Sequence, residues 1–247
     1  MSLIEVPALF LAGVTAGLVG GVAGLASVVS YPALLATGLS PISANVTNTA
    51  ALVFSGVGAT VGSRPELRGQ LHRARTLGLT GLCGGLLGAV LLLLTPSDAF
   101  AKLVPWLIGF GSVAILLPRP AADPSGPPKD RPWLIGSVFA IAVYGGYFGA
   151  ASGVLMLALL LASTAETLPQ SNAMKNLVMG GANLVAAGVF ALTGEVHWLA
   201  ALPLALGFFC GGVLSPRVVR RLPVRPLRVL IALAGTAIAI RLAMQAY

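Results

Sequence analysis

Residues 6–63 form an unbroken run of 58 uncharged positions between Glu5 and Arg64. A membrane-spanning helix needs about 20 apolar residues, so this stretch holds at least two elements. The break is expected at the turn-forming cluster Gly38-Leu39-Ser40-Pro41. Further apolar segments follow at 76–95, 99–117, 133–164, 169–193, 198–216 and 226–244, which makes eight. The last is the weakest, with 12 uncharged positions between Arg228 and Arg241. It spans only if those arginines snorkel to the interfaces. Runs of this length exclude a barrel, whose strands alternate over about ten residues. The pattern predicts an all-α, polytopic membrane protein.

Composition agrees. Hydrophobic residues make up 57% of the 247 positions and charged ones 9%, against about 25% charged in soluble domains, and the mean hydropathy is +0.93. A soluble domain cannot hide that much apolar surface, and disordered chains are charged and poor in aliphatics. Glu5 and the lack of a basic leader argue against a cleaved signal peptide. The formal charge of +8 is therefore read as a topology signal, not as nucleic-acid binding.

Residues 118–132 contain six prolines in fifteen positions, a composition that cannot continue a helix. They divide the chain into an N-terminal repeat (1–117), a linker (118–132) and a C-terminal repeat (133–247), with four apolar segments on each side. Three short matches recur between the halves. Gly20-Gly21-Val22-Ala23-Gly24 pairs with Gly145-Gly146-Tyr147-Phe148-Gly149 at an offset of 125. Ala44-Asn45 pairs with Ser171-Asn172, and Cys83-Gly84-Gly85 with Cys210-Gly211-Gly212, both at an offset of 127.

Charge then orients the halves. If all eight segments cross, basic residues divide 8 to 6 between the two sides. If 6–39 and 133–168 are instead hairpins that enter and return with the glycine motif at the tip, the loops 64–75, 119–131 and 217–228 share one side. The split becomes 12 to 2, as the excess of Lys and Arg in cytoplasmic loops requires. Each half is then one broken, re-entrant segment plus three crossings, and because three is odd the two repeats are inverted. Both termini would be extracytoplasmic.

Candidate chemistry gathers at two places. Half-helices starting near Gly24 and Gly149 would aim free N–H groups and positive dipole ends at the midplane, which suits an anion. In the next helix of each half, Asn45, Thr47, Asn48 and Thr49 occupy one turn, and Asn172, Lys175, Asn176 and Asn183 lie on the corresponding helix. Lys175 is the only cation in the run 167–194, and an intramembrane ionisable residue is a functional candidate. The offset pairs it with neutral Asn48. Asn45, Thr49, Asn172 and Asn176 are candidate hydrogen-bond donors, with Gly20, Gly21, Gly24, Gly145, Gly146 and Gly149 permitting close backbone approach. Glu166 and Glu195 flank segment 169–193 and are expected to mark its ends in water, with proton coupling the rival reading. Cys83 and Cys210 are expected to be buried free thiols. Two scattered histidines, His72 and His197, make a metal site unexpected. No nucleophile elbow, P-loop or zincin motif occurs, so neither an enzyme nor a cofactor is expected.

The order and spacing of Val143-Tyr144-Gly145-Gly146-Tyr147-Phe148-Gly149, Ser171-Asn172-Ala173-Met174-Lys175-Asn176-Leu177 and Gly194-Glu195-Val196-His197-Trp198 resemble the sulfite exporter TauE/SafE family of bacterial and archaeal membrane transporters. In the first half Ala16-Gly17-Leu18-Val19-Gly20-Gly21 and Pro32-Ala33-Leu34-Leu35 add to the likeness. The resemblance implies a multi-pass protein of the cell (inner) membrane that exports small sulfur anions such as sulfite or organosulfonates, with protons or sodium as candidate coupling ions. Other small organic acids, and an anion channel, are the alternatives. Lipid is the expected surroundings and nucleic acid no partner. Lipid-facing and protein-facing leucines look alike, so the pattern carries no oligomeric state.

Overall fold

The computed structural model describes residues 5–114, 132–164, 166–193 and 195–219, with scattered helical positions between 229 and 244. The linker 118–132 up to Pro132, Gly194, and Arg220, Arg221, Arg225 and Arg228 lie outside the described residues. The described chain is helical: α1 (Glu5–Ala23), α2 (Ala26–Leu35), α3 (Pro41–Gly62), a short α4 (Arg64–Leu67), α5 (Leu71–Leu94), α6 (Ser97–Ala114), α7 (Pro132–Tyr147), α8 (Ser152–Ser163), α9 (Leu168–Thr193) and α10 (Trp198–Val219). Glu5–Val22, Leu71–Leu94, Leu168–Thr193 and Trp198–Val218 are long and apolar enough to cross a membrane. Large apolar side chains such as Leu79, Leu94, Trp106, Leu199 and Leu206 are exposed, as a lipid-facing surface requires.

The expected break near Gly38 is present. Gly38 takes a left-handed φ of +84° after α2, and Ser40 caps α3 by accepting from the Ser43 N–H at 3.2 Å, with Pro41 at the first helical position. The first apolar segment is itself broken at Gly24 (φ +82°), and the corresponding segment of the second half at Gly149 (φ +75°) and Ala151 (φ +61°). At the first break the chain reverses, so that a Cβ on Gly20 would lie 2.6 Å from that of Ala26.

Glycine-lined approaches fix how the helices run. Gly13, Gly17 and Gly21 of α1 meet Leu204, Phe208 and Ser215 of α10 in turn, so these two run parallel. Gly84 and Gly88 of α5 meet Phe139 and Val143 of α7, also parallel. α3 follows α10 through Gly58 and Gly62, and α9 follows α5 through Gly81 and Gly85. α3 and α9 run oppositely and cross where Gly56 meets Gly180. At one end, the "His197 end", Ser43 Oγ donates to Glu195 at 3.3 Å and the His197 N–H donates to Thr47 Oγ1 at 3.0 Å. At the other, the "Arg73 end", Arg73 pairs with Glu166.

Two expectations are corrected. Glu166 does not sit in water: it is buried and ion-paired with Arg73, which reaches it from the first turn of α5. Cys83 and Cys210 are exposed, not buried. Gly84, Gly85, Gly211 and Gly212 supply the packed face of α5 and α10, which turns the preceding cysteine outward. Glu195 is exposed as expected.

Candidate anion site

The two broken segments bring their inner helix starts together. A cavity of about 60 Å³ is lined by Gly24, Ala26 and Ser27 at the start of α2 and by Gly149, Ser152 and Gly153 at the start of α8. Neither helix start has a side-chain cap. The first N–H groups of a helix have no intrahelical acceptor, and two such ends carry partial positive charge. The tips also touch directly, Gly24 against Gly153, with no room for a Cβ on either.

The cavity wall is completed by Leu52, Ser55 and Gly56 of α3 and by Lys175, Asn176, Met179, Gly180 and Asn183 of α9. Lys175 is the one charged residue among these lining groups. The side chain of Lys175 is almost fully buried at 2% exposure. It does not snorkel: its Nζ donates to the Gly20 and Gly21 carbonyls at 3.1 and 3.2 Å. These are last-turn carbonyls of α1, where the ammonium stands at the negative dipole end beside the Gly24 N–H, which donates to the Gly20 carbonyl at 2.7 Å. Asn172 Nδ2 donates to the same Gly21 carbonyl at 2.9 Å. Asn176, also buried, lines the cavity with an Nδ2 that has no hydrogen-bond partner among the described residues.

The second half repeats this in part. Asn45 Nδ2 donates to the Tyr147 carbonyl at the end of α7, at 2.9 Å, as Asn172 does for α1. Asn48, the positional match of Lys175, instead donates to Ser27 Oγ at 3.1 Å and accepts from Ser30 Oγ at 2.6 Å, pinning α2 to α3. Rings close over this tip: Tyr31 packs edge-on to Phe148 at 5.4 Å between centroids, and Phe100 to Phe148 at 5.8 Å.

The model of the sulfite exporter TauE/SafE family matches residues 9–242, nearly the whole chain. The chain belongs to this family. Relatives agree in kind. "Probable membrane transporter protein ORF9" of Sinorhizobium sp is 25% identical over 236 residues, covering 95% of this chain and 90% of its own. "Probable membrane transporter protein YfcA" of Escherichia coli (strain K12) is 25% identical over 214 residues, 85% and 79% of the two chains. A "Probable membrane transporter protein" of Haemophilus influenzae is 24% identical over 234 residues, 93% and 92%. No solved structure matches. The protein is a TauE/SafE-family membrane transporter and not an enzyme.

In this TauE/SafE transporter, six of the sequence-predicted residues line the cavity: Lys175, Asn176, Asn183, Gly20, Gly24 and Gly149. Asn45 and Asn172 hold helix ends beside it, and Thr49 donates to the Asn45 carbonyl at 2.9 Å within its own helix. Gly21 fits against Ser215, Gly145 against Met179 and Gly146 against Gly85; these three serve helix packing. Glu166 and Glu195 do not reach the cavity wall. Ser55, Gly56, Met179 and Gly180 are lining residues that the sequence did not single out. The helical spacing of Ser55 and Gly56 beyond Asn45, Asn48 and Thr49 was the available signal.

Proposed function

We propose that this protein is a secondary transporter, an exporter across the cell (inner) membrane, of small sulfur anions such as sulfite and organosulfonates. Its cavity is the central anion site of an alternating-access cycle. The observation that carries the reading is the meeting of two uncapped helix starts at one compact cavity whose only charged lining group is a lysine. Sulfur-bound oxygens accept several hydrogen bonds at once. Asn176 Nδ2, Ser27 and Ser55 stand beside the backbone donors to meet them. The volume, about 60 Å³, suits a compact headgroup and lies far below the roughly 300–1,000 Å³ of sites for drug-sized ligands.

The chain is read as two inverted repeats, 1–117 and 133–247, joined by the linker 118–132. Support comes from the opposed directions of the matched helices α1 and α7, α3 and α9, and α5 and α10, as well as from the 12-to-2 distribution of basic residues. The Arg73 end is then cytoplasmic. The flanking hydrogen bonds toward both ends favour a transporter over an open channel. Protons or sodium would drive it.

Labelled-sulfite counterflow into liposomes carrying the purified protein tests the substrate class. Saturable uptake, competed by sulfoacetate and lost in Asn176→Ala, is the expected result. Uptake of none of sulfite, sulfoacetate, sulfate or acetate would overturn it.

A further inference from the structure

The helices do not pack by sequence halves. α1 and α3 of the first half pack with α10 of the second, and α7 and α9 of the second pack with α5 of the first, while α2 lies on α1 and α3 and α8 on α7 and α9. Both groupings are dense: a Cβ on Gly17 would lie 2.7 Å from the Phe208 carbonyl oxygen, and one on Gly84 2.8 Å from that of Phe139. Side-chain ties repeat the exchange. α5 is fastened to the second half at both of its ends, by Arg73–Glu166 and by Tyr147 Oη donating to Thr95 Oγ1 at 3.3 Å. The start of α10 is fastened to the first half by the His197 N–H on Thr47.

Between the two groupings lie the cavity, the Gly56–Gly180 crossing and two sets of hydrogen bonds. On the Arg73 side of the cavity Asn172 and Lys175 of α9 hold the end of α1. On the His197 side Asn45 of α3 holds the end of α7, under the Tyr31–Phe148 contact. Each set must part for the cavity to open toward its own end.

We infer that the moving bodies are these exchanged bundles, α1–α3 with α10 and α7–α9 with α5, and not the N- and C-terminal halves. They rock about the α3–α9 crossing, and Asn172 with Lys175 and Asn45 with Tyr31 are the two gates. The inference rests on the alternating-access reading above, but it concerns which helices travel together and stands apart from the substrate. It gives Lys175 a second task, since the ammonium that faces the cavity also locks one gate.

The experiment is pulsed electron–electron spin-label spectroscopy on the full chain with Cys83→Ser and Cys210→Ser. One label pair, at Leu71 and Trp133, joins α5 and α7, which belong to different halves but one bundle. The second, at Leu214 and Trp133, joins α10 and α7, which belong to one half but different bundles. All three positions are exposed at the Arg73 end. In Lys175→Met, and independently in Asn172→Ala, the Leu214–Trp133 distance should lengthen on the order of 5 Å, one helical turn, while Leu71–Trp133 holds. A fixed Leu214–Trp133 distance with a changing Leu71–Trp133 distance would assign the motion to the halves and overturn the inference. Two unchanged distances in both folded variants would overturn the gate. Distances that move as expected in a protein that transports no sulfur anion would fault only the substrate reading.

Discussion

The two hairpin tips share a sequence motif and a position beside the cavity, but they are held by different chemistry. The first, around Gly24, is gripped by a buried ammonium and an amide on two last-turn carbonyls of α1, those of Gly20 and Gly21. The second, around Gly149, is gripped by one amide on the Tyr147 carbonyl and covered by Tyr31, Phe100 and Phe148. The two matched tips thus carry one electrostatic and one aromatic closure. Directional bonds to carbonyls break abruptly, whereas aromatic contacts part with less dependence on angle. The difference also places the only lining charge on one side of the site, which gives the cavity a polarity that two identical repeats would lack.

The largest expected contrast is in the turn glycines. Gly24→Ala drives a Cβ into the backbone of Gly153 and forces an L-residue into the left-handed region, a conformational cost of about 1–2 kcal/mol before the clash. Gly149→Ala shares that conformational cost at φ +75° but meets only the Gly145 carbonyl oxygen, at 2.8 Å within its own tip. Gly24→Ala should abolish detergent-stable monodisperse protein, while Gly149→Ala should survive with a lower melting temperature by size-exclusion and thermal-shift assays. Equal damage would break the comparison.

Next is the clamp that fastens α5 to the second tip's bundle. Arg73→Ala leaves the Glu166 carboxylate buried without its ion pair, a loss of about 3–5 kcal/mol. The paired change Arg73→Leu with Glu166→Leu should recover most of the melting temperature. Glu195→Gln, on an exposed hydroxyl contact at 3.3 Å, should move it by less than about 0.5 kcal/mol.

Effects smaller than the loss of the ion pair separate the closures themselves. Asn172→Ala and Asn45→Ala each strip a buried carbonyl of a donor, worth about 1–3 kcal/mol. They should expose the cavity to thiol reagents from opposite sides of the membrane. Tyr31→Leu removes an edge-to-face pair worth about 0.5–1.5 kcal/mol. It should loosen the same side as Asn45→Ala, only more weakly; loosening of the opposite side would contradict the assignment of gates.

Much of this was legible in the sequence because membrane proteins display their constraints plainly. The uncharged run 6–63, the Gly38-Leu39-Ser40-Pro41 stop and the glycine motifs at offset 125 locate the breaks, since only glycine readily reverses a chain at positive φ. Lys175 was visible because a lone cation in an apolar run has few innocent explanations. Arg73 was not: four basic residues in 64–75 read as one loop, and nothing in the local pattern shows that one turns inward to Glu166, 93 positions away. The partners of the amides were equally hidden. Asn45 and Asn172 read as ligands to a solute, yet their amide nitrogens are taken by carbonyls of the other half's broken helix, a contact set by tertiary crossing and not by spacing. Gly145 and Gly146 misled in the same way, because a small-residue face for helix packing and a backbone surface for a ligand look identical in one dimension.

The central claim is that a small anion occupies the cavity between the tips and reaches it from one side at a time. Ser55 lines that cavity from α3, so Ser55→Cys, with Cys83→Ser and Cys210→Ser, provides the probe. The rate of its modification by a membrane-impermeant thiol reagent would be measured from each face of proteoliposomes, with and without sulfite or sulfoacetate. Saturable protection by a sulfur anion and a shift of reactivity toward the Arg73 end in Lys175→Met are the expected results. Equal reactivity from both faces, or protection by none of the anions, would contradict it.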